Sequence, residues 1–211
     1  MAERGTTQTS SLILVSTWIA FLWLVFAVDI LLRVFGGGLA RLFGWAAQPD
    51  GIWLANWLGL RPRELDGLWG IAGCHILHAN IQHIASNSVG LLVLGLVCCW
   101  YSQKLTALAA IYSAIVSATL TWLIAPAGSV HIGASGIIFG LVGFLVCNGL
   151  FRRSWGAFLL AIPIGVLLSG LVPGMMPTGA NKAQLISWQM HLGGFIGGAL
   201  ASWQLRRDKA E

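Results

Sequence analysis

Four side chains in this sequence could together hydrolyse an amide: Ser135, His191, His83 and Asn87. Amide hydrolysis needs a nucleophile, a base within hydrogen-bond reach of it, and donors for the oxyanion that develops on the attacked carbonyl. Ser135 stands in HIGASGIIFG, where Gly133, Ala134 and Gly136 leave the backbone uncrowded around its hydroxyl. A helix starting at that serine would aim unpaired backbone N–H groups and the positive end of its dipole at the reacting carbonyl, which favours transient negative charge. His191, in SWQMHLGGFIGG, can take the serine proton and return it to the leaving amine. His83 and Asn87 are four residues apart, hence on one side of a helix, and are candidate side-chain donors to the oxyanion beside the Ser135 amide.

The elements that must position these groups are membrane helices. Of 211 residues, 57% are hydrophobic and only 9% charged, whereas a soluble domain carries about a quarter charged residues. A spanning helix needs about 20 mostly apolar residues, and six such runs lie near 12–35, 81–101, 105–126, 134–151, 155–173 and 188–205. The expected architecture is all-α: a polytopic bundle over 12–205 between short tails, 1–11 and 206–211. The first run is too long for a cleaved signal segment and reads as a retained helix. The connection 36–80, with Trp45, Trp53, Trp57 and Trp69, is expected on the membrane surface, where tryptophan is favoured. The four cysteines lack any CxxC spacing and read as buried thiols.

Orientation follows from the basic residues. The clusters Arg152–Arg153 and Arg206–Arg207 sit tightest against helix ends, which places both termini in the cytoplasm. The net charge is +5, but the twelve Lys and Arg residues are scattered between apolar runs and form no groove for phosphates, so no nucleic-acid partner is expected. With six spans and an inside N-terminus, the helices carrying His83 and Asn87, Ser135 and His191 all begin on the outer face. The four groups then share one depth, a few residues in. Polar groups within a bilayer are functional candidates by default, and here they come from separate helices to one level.

Each group has a plainer reading beside the catalytic one. Ser135 also suits a close helix crossing, since Gly136 and Gly140 form a small-xxx-small pair, and His191 precedes a second such seam at Gly194 and Gly198. Cys74, His75, His78 and His83 contain good zinc ligands, but HExxH is absent and the only intramembrane acid is Asp29. No cofactor is expected. His78 reads as a brace of the outer loop through hydrogen bonding.

The anchors HANIQHIASN, GASGIIFG and HLGGFIGG resemble the rhomboid family of intramembrane serine proteases from about Trp69 to the end of the last helix. The resemblance implies a six-helix form in a bacterial cytoplasmic membrane, opening outward, and a Ser–His dyad without a carboxylate, with Ser135 as nucleophile and His191 as base. It also implies an oxyanion hole from His83, Asn87 and the Ser135 amide, a place for Gly133 in the nucleophile's loop, and for Phe139 an aromatic position packed near the base. The implied substrates are transmembrane proteins. The alternative is a catalytically inactive rhomboid-like binding factor. Where many relatives place an arginine after the loop tryptophan, Gly70 follows Trp69, which leaves open what anchors that loop. Walls of the entrance are expected at 126–133 and 174–187, and a lateral gate at the fifth helix, with Pro163, Gly165 and Gly170.

Overall fold

A computed structural model of the chain describes residues 2–43, 54–151 and 187–205. The fifth expected span, the tail 206–211 and all but the last residue of 174–187 lie outside the described residues. The described residues are helical almost throughout. Helix α1 runs Ala2–Phe43, beyond the apolar stretch at both ends. Short turns α2 (Ala55–Leu58) and α3 (Gly70–Gly73) precede α4 (Ile81–Tyr101), α5 (Gln103–Ile124), α6 (Ser135–Phe151) and α7 (Trp188–Leu205). Among the described residues, three stretches are long and apolar enough to cross a membrane, Gln8–Phe35, Ile81–Tyr101 and Gln103–Ile124, and Ser135–Gly149 is a shorter apolar helix.

Local chemistry explains where the helices start. Asn80 caps α4, its side-chain oxygen accepting the His83 N–H at 2.9 Å, and Ser102 caps α5 by accepting from Leu105 at 3.3 Å. One extended residue, Ser102, therefore reverses the chain between two long helices. After α5, residues Pro126 to Ser129 make a turn in which Gly128 takes φ +76°, the left-handed conformation a type II turn requires at that position.

Small residues set the centre of the bundle. A side-chain carbon at Gly194 would fall on the Gly136 carbonyl oxygen, and one at Gly198 on that of Gly140, so the α6 and α7 backbones touch directly and run in the same direction. Helix α5 runs the other way against both: Ser117 lies against Gly136 and Gly193, and Ser113 against Gly140 and Gly197. Both serines are fully buried, and their hydroxyls donate to carbonyls of their own helix, Ser113 to Ala109 at 2.6 Å and Ser117 to Ala114 at 3.1 Å. They act as small residues with their polarity already satisfied.

Helix α1 packs antiparallel on α4, with Val15 against Gly95 and the Trp23 indole donating to Ser88 at 3.0 Å. Its buried Asp29 is compensated by Arg33 one turn on and by the Leu54 N–H at 2.8 Å.

The loop that lacks the expected arginine is anchored by other means. Position 70 has no room for a side chain, because Gly70 lies directly against the Leu60 backbone. Arg61 instead donates to Glu64, to the Asn56 carbonyl at 2.6 Å and to Asp66 at 3.2 Å. Arg63 donates to the Ala125 carbonyl at 2.9 Å, and Trp122 to the Glu64 carbonyl at 3.1 Å, tying the loop to the end of α5.

Candidate active site

Ser135 is the first residue of α6, preceded by Gly133 at φ +122°. The backbone enters the site in a conformation that an L side chain rarely adopts. Gly133 donates its N–H to the Cys74 carbonyl at 2.8 Å. A carbon added at Gly133 would stand 2.6 Å from His83 Nε2 and 3.5 Å from Asn87 Nδ2. The two candidate oxyanion donors therefore face the loop immediately before the serine. The intrahelical bonds begin with Ile137 and Ile138 donating to Ala134, leaving the Ser135 and Gly136 amides without a helical carbonyl to bond.

The hydrogen bonds around His83 decide which ring nitrogen carries its proton. The Ala79 N–H donates to His83 Nδ1 at 3.4 Å, so the neutral ring is protonated on Nε2, the nitrogen nearest Gly133. Asn87 is 5% exposed and its Nδ2 has no hydrogen-bond partner among the described residues. A buried amide left unpaired has a donor to offer an incoming oxygen.

His191 lies one turn into α7 and is stacked on Phe139, with ring centroids 4.0 Å apart and planes 12° from parallel. Phe139 is four residues after Ser135, on the same face of α6, and helical side chains lean towards the N-terminus, over the turn that Ser135 opens. One residue earlier on α7, Met190 packs against Gly136. The Gly136–Gly194 contact thus sets the start of α6 beside the start of α7, where the imidazole stacks on Phe139, one turn after the serine. Ser135, Gly133, Gly136, Phe139, His83, Asn87 and His191 all gather at the end of the bundle where α4, α6 and α7 begin.

His78 is fully buried before α4, and its ring packs edge-on against His83 at 5.1 Å between centroids. The burial that strips its water and the neighbouring His83 push its pKa down to about 4. His75 Nε2 bonds the Ala114 carbonyl of α5 at 3.0 Å, which ties this turn to the bundle. No three His, Cys, Asp or Glu side chains among the described residues come together as a metal set would.

His131, Ser129 and Ser187 were not singled out by sequence reasoning. His131 pairs with Leu60 through two backbone hydrogen bonds of 3.0 and 3.1 Å. Its ring lies 2.8 Å from Ser129 Oγ on one side and 2.8 Å from Ser187 Oγ on the other. Burial pushes its pKa down to about 4. The available signal was a histidine four residues before the nucleophile, inside the same motif.

A family model described as Rhomboid domain matches residues 65–208, which include every site residue named above. Uncharacterized proteins of Mycobacterium tuberculosis and Mycobacterium bovis are 38% identical over 154 residues, covering 70% of this chain and 63% of theirs. An uncharacterized protein of Mycobacterium leprae is 40% identical over 158 residues, covering 70% of this chain and 60% of its own. The chain thus matches less than two thirds of the length of these relatives.

Proposed function

This chain belongs to the rhomboid family of multi-pass membrane proteins, and from that premise we propose that it is an intramembrane serine endopeptidase with Ser135 as nucleophile and His191 as base. The observation that supports this reading is the His191 ring stacked on Phe139, one turn along α6 from Ser135, with His83 and Asn87 against Gly133, two residues before the serine. In the reaction, Ser135 Oγ attacks the scissile carbonyl as His191 takes its proton. In this reading the charge that forms on oxygen is met by the Ser135 amide, His83 Nε2–H and Asn87 Nδ2. His191 returns the proton to the leaving amine, and water repeats the sequence on the acyl-enzyme.

The substrates we propose are transmembrane proteins whose helices are weakened by Gly or Pro near the membrane surface, with a small residue before the cut. A fully hydrogen-bonded helix shields its carbonyls, so the scissile bond must be presented in extended form. We place the protein in a bacterial cytoplasmic membrane with both termini inside, on the distribution of Arg and Lys, so that the Ser135 end of the bundle opens outward.

The test is labelling with a fluorophosphonate probe in detergent, together with cleavage of a model transmembrane substrate, for wild type, Ser135→Ala and His191→Ala. The wild type alone is expected to label and cut. A folded wild type that does neither would point to the inactive binding factor.

A further inference from the structure

We propose that the hydrogen bond between His131 and Ser187 is a positioning clamp that holds the start of the nucleophile's helix at a fixed spacing from the start of the base's helix. The proposal rests on the proteolytic reading of the same site. His131 is four residues before Ser135, and Ser187 is four residues before His191. Their side chains meet at 2.8 Å, from His131 Nδ1 to Ser187 Oγ. The bond therefore joins the loop that delivers the nucleophile to the turn that delivers the base.

The direction of each bond can be assigned. Ser129 Oγ donates to the Pro126 carbonyl at 2.5 Å, so at its 2.8 Å contact with His131 it accepts, and the imidazole proton sits on Nε2. His131 Nδ1 is then an acceptor and takes the Ser187 hydroxyl proton. Ser187 Oγ in turn accepts the Met190 N–H at 3.3 Å, and the Ser187 carbonyl accepts the His191 N–H at 3.2 Å, which makes Ser187 the N-cap of α7. One unbroken series of donors runs from the first turn of α7 through Ser187, His131 and Ser129 to the Pro126 carbonyl. Such a series strengthens each of its members.

The backbone of His131 is held on its other side by the paired bonds to Leu60, so the ring is a fixed post rather than a passive neighbour. The glycine seam sets how close α6 and α7 approach. That seam is made of undirected van der Waals contact, and a hydrogen bond between the two helix starts adds a directional restraint. His131 and Ser187 thereby act through Ser135 and His191 without touching substrate. A misplacement of about 1 Å at the reacting groups costs up to about a hundredfold in rate.

The experiment measures, on the full chain in detergent, the rate of fluorophosphonate labelling, kcat and KM on a model substrate, and Tm. The variants are Ser187→Gly, Ser187→Thr, His131→Phe and the double substitution His131→Phe with Ser187→Gly. Glycine is nearly as good an N-cap as serine, so Ser187→Gly removes the donor while sparing the helix start. We expect it to lose about tenfold or more in labelling rate and kcat, with KM and Tm close to wild type. Ser187→Thr, which restores a hydroxyl, is expected to recover the rate, and the double variant to be no slower than His131→Phe. The clamp is overturned by a folded Ser187→Gly that labels at the wild-type rate, or by a loss that threonine does not recover. Should His131→Phe fail to fold, the glycine and threonine pair decides the matter alone. A folded wild type that never labels removes the proteolytic reading and the clamp together, whereas the preceding outcomes remove the clamp and leave proteolysis standing.

Discussion

Gly133 shows how tightly single residues are constrained around Ser135. Its φ of +122° and the 2.6 Å separation of a would-be Cβ from His83 Nε2 mean that Gly133→Ala must strain the backbone and push the imidazole aside. We expect about a hundredfold slower probe labelling, checked against a folded control by gel filtration. Phe139 makes a different demand. Its stacking on His191 is worth about 0.5–1.5 kcal/mol, so Phe139→Ala should slow substrate cleavage by roughly two- to tenfold, while Phe139→Tyr, which keeps the ring, should stay near wild type. A cleavage assay showing equal rates for Phe139→Ala and wild type would remove Phe139 from the base's support. Ser135, His191, His83 and Asn87 could be nominated from the sequence because polar side chains stand out in apolar helices. His131 was not, because its significance depends on Ser187, 56 positions away.

At the scale of elements, the glycines spaced four apart on α6 and α7 determine how these helices meet. Gly194→Ala would place a methyl group on the Gly136 carbonyl, and the helices would have to separate. A destabilisation of about 1–3 kcal/mol is expected, measured by denaturant unfolding in detergent. Leu200 on the same helix is 43% exposed on the outside of the described bundle, and Leu200→Ala should unfold at nearly the wild-type midpoint. The spacing of these glycines made a close crossing foreseeable, and the helix limits at Ile81–Tyr101 and Trp188–Leu205 agree with the apolar runs. The compact fold of residues 54–80 was not foreseeable, because its anchors are carbonyls of Asn56, Glu64 and Ala125, which carry no side-chain signature. Arg63→Ala should therefore free this loop from the end of α5, with faster proteolytic nicking between residues 54 and 80 as the readout.

For the molecule as a whole, the buried histidines couple stability to pH. His78 and His131 each have a pKa of about 4 in the fold, against 6.5 for an unhindered histidine. Between those values the unfolded chain binds more protons than the folded one, so stability is full above pH 6.5 and falls as the pH drops towards 4, by up to roughly 3 kcal/mol for each group. Tm measured from pH 7.5 to 4.5 should decline, and the decline should be shallower in His131→Gln, which has no imidazole to protonate. Membrane residence, the all-helical class and the identity of the chemically capable residues were determined by the sequence alone, because hydropathy and residue type are local properties. The tertiary structure alone decided the protonated nitrogen of His83, the stacking of His191 on Phe139, the exclusion of any side chain at Gly70 and the meeting of His131 with Ser187. Each depends on a distance between segments far apart in the chain, and such distances arise only when the helices pack.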